Sequence, residues 1–148
     1  MTERTPAEIV PAMIADVLAI AHTWTNWTGD PVTIDGRTMT PHKAIRRVVD
    51  HTIDHLAEAA ARINNITPLV DHWHHSANTT PADLAPFTAD DLNEAVERLN
   101  RLAQLWQLTY ASLDDAELDT PTVDAMTLRD LAKHAAESID YATMIGTL

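Results

Sequence analysis

The sequence lacks cysteine entirely, and glycine occurs only three times in 148 residues. Without cysteine there can be no disulfide framework, no thiolate nucleophile and no thiolate metal site. Any metal would therefore be held by imidazole and carboxylate groups. Because 45% of the residues are apolar, a chain of this length can bury a substantial core, and we expect a single domain over residues 1–148.

Basic residues are also scarce. Ten Lys and Arg stand against 22 Asp and Glu, which gives a formal net charge of −12. This charge would repel a phosphate backbone, and the basic residues are scattered along the chain and do not form a stripe. We therefore expect no nucleic-acid partner.

Long hydrophobic runs are missing as well. The most apolar stretch near the start, EIVPAMIADVLAIAHTW, is interrupted by Pro11 and Asp16. It falls short of the roughly 18–20 apolar residues that span a bilayer, and it lacks the basic start of a secretory signal. These features predict a soluble, cytoplasmic protein with no membrane partner. The sequence leaves open whether the protein is a monomer or a homodimer.

Threonine recurs where helices should begin, often followed by proline or by an acidic residue that complements a helix N-terminus. Apolar residues after these sites repeat with the period of an amphipathic helix. The pattern predicts four helices, over residues 6–27, 41–64, 89–113 and 128–145. The only stretch typical of a strand is the short 32–36, so the predicted fold class is all-α.

Four amphipathic helices of this length predict a four-helix bundle. The connections between helices one and two and between helices two and three are too long for tight hairpins. We expect them to contain local turns or a short helix near 82–84. Long loops on a rigid bundle are common places for functional sites.

Two pairs of polar residues have metal-ligand spacing. His51 and His55 are four residues apart on helix two, so their imidazoles can converge on one ion at about 2.1 Å. Asp130 and His134 repeat this spacing on helix four, with Glu137 on the same side. Both pairs lie on the flank of an apolar stripe, so the two flanks could face each other. In that arrangement the ring of His134 should be partly buried and directed toward helix two.

A simpler interpretation exists for the helix-two pair. His51 and His55 could lie on a solvated helix flank, where Asp50, Asp54 and Glu58 make weak surface ion pairs.

The remaining polar candidates also have structural interpretations. Asp130 could complete a capping box with Thr127. The histidine-rich tract 71–75 has no regular spacing that would aim its imidazoles at one point, which favours a surface loop. His22 and His42 are single histidines and are expected to be structural.

Two segments resemble a known family. MTPHKAIRRVVDHTIDHLAE (39–58) and MTLRDLAKHAAESIDYA (126–142) are similar to helices two and four of the DinB-like superfamily, which includes the mycothiol-dependent maleylpyruvate isomerases. The resemblance implies a bundle with up-up-down-down connectivity. It also implies a divalent ion, commonly zinc or nickel, held by one histidine on helix two and an H/E-x-x-x-H pair on helix four.

Carried over to this chain, the helix-two ligand is His51, with His55 as its competitor, and the helix-four pair is Asp130 and His134. Asp130 stands where the family pattern has His or Glu. A second register would pair His134 with Ser138 and leave one ligand unassigned.

Two function classes follow. In the first, the protein is a metal-dependent thiol S-transferase or isomerase that acts on a small molecule with a low-molecular-weight thiol, as the resemblance implies. In the second, it is a metal-free binding or interaction module, whose groove between helices two and four accepts a small organic ligand.

Overall fold

The computed structural model describes residues 2–70, 77–122 and 125–148 of the chain. Most of these residues are helical and very few are in strands, which confirms the predicted all-α class. The α-helices are α1 (Pro6–Ala21), α2 (Pro41–Ile63), α3 (Ala89–Ala111), α4 (Asp115–Asp119), α5 (Leu128–Ala136) and α6 (Ile139–Thr143). Short 3-10 helices cover Trp24–Asn26 and Pro81–Leu84.

The predicted strand stub is one arm of a hairpin. β1 (Val32–Ile34) pairs antiparallel with β2 (Arg37–Met39). Asp35 and Gly36 connect them with positive φ angles of 50° and 75°, the Asp-Gly pattern of a tight hairpin turn. The hairpin leads directly into Thr40, the residue that caps α2.

Threonine caps start the long helices where the sequence predicts them. The hydroxyls of Thr40, Thr88 and Thr127 each accept a hydrogen bond from the backbone amide three residues later, at 3.1–3.2 Å. These bonds satisfy amides that would otherwise lack a partner in the first turn. The starts of α2, α3 and α5 are therefore set by local chemistry.

The helices pack around one core. α1 contacts α3 on one side and α5 with α6 on the other, and α2 contacts the same elements. The large apolar side chains that fill this core with almost no exposure are Trp24, Trp106, Ile14, Met39, Leu99, Leu131, Val10, Val17 and Val48. The packing places α2 directly against α5 and α6, where the candidate site lies.

The segment 6–26 differs from the sequence expectation. By length and composition it could cross a membrane, whereas its apolar run was expected to be too short. This is a weak indication, because a core helix passes the same test. In the structure Val10, Val17 and Ala21 belong to the core that α1 shares with its neighbouring helices.

The predicted fourth helix is broken in two, which corrects the expected continuous helix over 128–145. α5 ends at Ala136 and α6 begins at Ile139. At the break the amide of Glu137 donates to the carbonyl of His134, and that of Ser138 donates to the carbonyl of Ala135. These bonds span three residues, as in the tighter 3-10 helix. α5 thus ends two residues after His134.

The predicted helix ends also shift. α1 ends at Ala21, six residues before the predicted end, and α3 ends two residues early at Ala111. The tight turn Pro81–Leu84 confirms the short helix expected in the second long connection.

An ion pair between the buried Asp83 and the partly exposed Arg46 fastens this short helix to α2. The Arg46 guanidinium donates to both oxygens of the Asp83 carboxylate at 3.0 and 2.8 Å, and the Thr80 amide donates to one of them at 2.8 Å. Burial favours the neutral acid, but the hydrogen bonds from Arg46 and Thr80 outweigh it and hold the pKa of Asp83 below its usual value. The folded protein therefore keeps this carboxylate charged.

Replacing Asp83 with asparagine is expected to lower the free energy of unfolding at pH 7 by about 2–4 kcal/mol, because Arg46 would keep its charge beside a neutral amide. Since the pKa of Asp83 is lowered by folding, its contribution is complete above the unfolded-state pKa of about 3.9 and is lost as the pH falls below it. Urea unfolding at a series of pH values measures both effects. Acid should therefore destabilise the variant less steeply than the wild type.

The matched control is Glu97→Gln, which removes the exposed partner of Arg101 on α3. That change should leave the free energy of unfolding nearly unchanged. Equal effects of the two substitutions would contradict the assignment of Asp83 as a structural anchor.

Candidate metal centre

His51, His55 and His134 form one cluster between α2 and α5. One ring nitrogen from each lies within 4.8 Å of the corresponding atoms of the other two. The ring centroids are 4.4 Å apart for His51 and His55, 5.0 Å for His51 and His134, and 4.9 Å for His55 and His134. The structure thus brings together the helix-two pair and the helix-four histidine that the sequence singles out.

The cluster is largely inside the protein. His51 is 5% exposed, while the side chains of His55 and His134 are 16% and 33% exposed. The solvated-flank interpretation is therefore wrong for His51, because α5 covers this face of α2. The expectation that His134 is partly buried with its ring toward helix two is confirmed.

Two carboxylates support the cluster from outside. The Nδ1 atom of His55 lies 3.2 Å from Oε2 of Glu58, and Nδ1 of His134 lies 3.0 Å from Oε2 of Glu137. In each case the glutamate is three residues after the histidine on the same side of the helix. Carboxylates that bond the outer nitrogen of a ligating histidine fix its orientation and raise its basicity.

His51 is oriented by the backbone of the facing helix. Its Nε2 lies 3.4 Å from the carbonyl oxygen of His134. This carbonyl is at the end of α5, so the break in the fourth helix and the placement of His51 are structurally linked.

Asp130 does not belong to the group of described residues that could hold a metal ion together. Its side chain is exposed, and its backbone amide donates to the Thr127 hydroxyl at 3.1 Å. Ser138, the partner in the alternative register, is buried with its hydroxyl 3.7 Å from the sulfur of Met13. The ligand role of Asp130 stays a prediction.

The other described histidines have local partners. Nδ1 of His22 lies 2.6 Å from the carbonyl of Ala19, and Nε2 of His42 lies 2.9 Å from that of Pro86. These contacts agree with the structural roles expected for both. The histidine-rich tract 71–75 lies outside the described residues.

The donor set suits a borderline divalent cation. Three imidazoles without thiolate are typical of zinc and nickel sites, and three protein ligands leave a fourth position for another molecule. Tetrahedral binding requires ligand nitrogens about 3.3 Å apart, given metal–nitrogen bonds of about 2.0–2.1 Å. Since the three nitrogens already lie within 4.8 Å of one another, small side-chain rotations would suffice.

The family pattern makes His51 and His55 competitors for one ligand position, whereas in the structure both join the cluster. The shared His-x-x-Glu spacing signals the contacts of Glu58 and Glu137 with the clustered rings. No pattern in the sequence signals that Arg47 is buried.

A cavity of about 950 Å³ lies away from the cluster, among the N-terminal segment, α3, α4 and α5. Arg4, Tyr110, Arg129 and Lys133 are among its lining residues. Burial raises the pKa of Tyr110, whose hydroxyl donates to the carbonyl of Leu128 at 3.1 Å. The groove was expected between helices two and four, but α2 packs directly against α5 and α6, so this cavity occupies a different face.

Comparisons with protein-family models, with curated proteins and with solved structures find no match to this chain. The resemblance of the two helical segments to the DinB-like superfamily therefore stays a prediction.

Proposed function

We propose that this protein is a divalent-metal protein of the DinB-like four-helix-bundle type, with zinc or nickel held by His51, His55 and His134. The observation that carries the proposal is the convergence of these imidazoles from two helices, with a nitrogen of each within 4.8 Å of the others. The bundle is supported by the packing of α1 and α2 against α3 on one side and α5 with α6 on the other.

The orientation of the rings assigns the ligand atoms. Glu58 and Glu137 bond the Nδ1 atoms of His55 and His134, so we assign Nε2 of each ring as its ligand atom. Because Nε2 of His51 contacts a backbone carbonyl, we assign Nδ1 as its ligand atom. Each histidine must be neutral at its ligand nitrogen, and the glutamates stabilise the tautomer with the proton on the outer nitrogen.

The proposed activity is a transfer or isomerisation that depends on a small thiol. A zinc or nickel ion bound by three imidazoles supplies a Lewis acid that favours the deprotonated form of a bound thiol or water. The chain contributes no cysteine, so the thiol must come from a small molecule. The burial of His51 limits the access of water to one side of the centre.

The second candidate is metal-free binding of a small ligand. The observation that favours it is the cavity of about 950 Å³ bordered by α3 and α5, a size suited to a small organic molecule. Its lining contains Lys133 but none of the three clustered histidines. The two candidates therefore involve different residues and are separable by mutation.

Metal content provides the first test. Tag-free protein purified from cells supplied with zinc and nickel is expected to carry about one metal ion per chain by mass spectrometry, since the centre has three protein ligands. A variant with His51, His55 and His134 all changed to glutamine should carry none, while His42→Gln should match the wild type. Wild-type protein without metal, both as purified and after reconstitution, would contradict the proposal.

Replacing the metal with cobalt tests whether a small thiol binds at the metal centre. Adding a simple thiol to the Co²⁺-loaded protein should produce thiolate-to-cobalt charge-transfer absorption, because the fourth position is open. The same addition to the triple glutamine variant should give none. A loaded wild type whose spectrum does not respond to thiol would leave metal binding intact and refute the thiol-dependent activity.

A further inference from the structure

Arg47 lies on α2 one helical turn before His51, and its side chain is only 1% exposed. Its guanidinium is stacked over Tyr141 on α6, with 5.6 Å from Cζ to the ring centroid. His51 contacts His134 on α5 from the same side of α2. Residues four apart on a helix have Cβ atoms about 6 Å apart, so Arg47 and His51 occupy neighbouring positions on the face of α2 that packs against α5 and α6.

The hydrogen-bonding capacity of this guanidinium is unused by the described residues. None of its three nitrogens, all buried, forms a hydrogen bond with any of them. Among the described residues, Arg47 forms an ion pair with Asp50 alone. Nη1 of Arg47 lies 3.7 Å from Oδ2 of Asp50, a distance that is too long for a hydrogen bond. A guanidinium has five N–H donors, and burying it with none of them bonded costs free energy.

The charges around Arg47 do not balance. Lys43, Arg46 and Arg47 lie in the first two turns of α2, and the carboxylates within 4.0 Å of them in the described ranges are Asp50 and Asp83. Burial lowers the pKa of Lys43, and the positive charges of Arg46 and Arg47 lower it further. The negative charge of Asp83 acts in the opposite direction and raises this pKa. A protein with a net charge of −12 thus holds a local excess of one positive charge at this end of α2.

We propose that Arg47 is the anion-binding residue of the metal centre and that it binds a carboxylate of the small-molecule ligand. The excess of one positive charge matches a single carboxylate, and the planar guanidinium fork matches its two oxygens. The inference rests on the proposed function for the metal and adds the ligand class. The ligand carries a metal-binding group, such as a thiol, at one end and a carboxylate at the other.

The residues that cover Arg47 reach the surface. The Asp50 side chain is 34% exposed, and Tyr141 is partly exposed. Asp50 is also shared, because its Oδ2 lies 4.0 Å from Nη1 of Arg46. A ligand carboxylate that enters beside Asp50 would accept hydrogen bonds from the Arg47 guanidinium, which Asp50 does not accept. Asp50 would keep its contact with water.

The test compares two thiols on the zinc-loaded protein by calorimetric titration. 3-Mercaptopropionate carries a carboxylate, whereas 2-mercaptoethanol is neutral. Wild-type protein is expected to prefer the acid by about tenfold to hundredfold, the ratio that a charge-assisted hydrogen bond provides. In Arg47→Met this preference should disappear while zinc affinity is retained. Arg47→Lys, which keeps the charge but loses the fork, should retain part of the preference.

Arg101→Met is the matched control, because Arg101 is exposed on α3 and pairs with Glu97. It should preserve the full preference. An unchanged preference in Arg47→Met, or none in the wild type, would overturn the proposal and leave Arg47 as a structural residue stacked on Tyr141. If circular dichroism shows that Arg47→Met does not fold, Arg47→Lys decides: a reduced preference supports the proposal, and an unchanged preference overturns it.

A separate experiment tests the anion site if the proposed metal centre is absent. If the wild type binds no zinc, the metal-free protein is titrated with propionate and the side-chain resonance of Arg47 is followed by NMR. A saturable shift that is absent at Arg101 would support the anion site without the metal. No saturable shift would overturn the inference as well.

Discussion

Replacing His134 with alanine is expected to weaken zinc binding by about a hundredfold or more, because the centre would lose the one ligand contributed by α5. His51→Ala and His55→Ala should have comparable effects, since all three imidazoles converge. The His134 side chain is partly exposed, so its removal from the metal-free protein should change the free energy of unfolding only modestly. Calorimetric titration of Zn²⁺ and Ni²⁺ into each variant measures the loss.

Two controls show whether the loss is specific. His22→Ala removes an exposed histidine outside the cluster and should bind zinc like the wild type. Asp130→Ala should also match the wild type if the cluster alone holds the metal, and a large loss would instead support Asp130 as a ligand. Zinc affinity should weaken as the solution becomes acidic, because protons compete for the ligand nitrogens. Equal affinity of the wild type and His134→Ala would contradict a metal centre at this position.

Replacing Trp24 with alanine is expected to lower the free energy of unfolding by about 3–5 kcal/mol, the range for removing a large aromatic side chain from a packed core. Trp24 is fully buried, meets the edge of Phe87 at a centroid distance of 6.1 Å and donates from Nε1 to the carbonyl of Gly146 at 2.7 Å. Its removal leaves a cavity and an unbonded carbonyl near the C-terminus. Urea unfolding followed by circular dichroism measures the change.

Trp27 provides the matched control three residues later. It is only partly buried, and its Nε1 donates at 3.0 Å to the carbonyl of Asp30, a neighbour in sequence. Trp27→Ala should cost about 1 kcal/mol or less. Similar losses for the two variants would show that Trp24 does not anchor the core as the structure indicates.

The sequence predicts helix starts better than helix ends. Thr40, Thr88 and Thr127 fix starts through a hydrogen bond within a single turn, so the signal is local and the structure confirms it. α1 ends at Ala21 and α5 ends at Ala136 without a glycine at the C-cap, where His22 and Glu137 stand instead. Helix ends of this kind lack the local stop signal that a sequence can show.

The same division applies to the candidate centre. The four-residue spacing of His51 and His55 places both rings on one side of a helix, and the absence of cysteine limits any metal site here to imidazole and carboxylate donors. The sequence by itself thus determined an all-α chain with a histidine pair on its second helix. It did not determine whether one histidine or both would meet His134, because that depends on how α5 lies against α2.

Only the tertiary structure decided which side chains are buried together. α5 and α6 cover the side of α2 that carries His51 and Arg47, although both residue types are typical of a solvated surface. Helical periodicity predicts the burial of each position from the polarity of its own side chain, so a charged residue is predicted to face solvent. Burial, however, depends on the partner helices, and here α5 and α6 enclose an imidazole and a guanidinium.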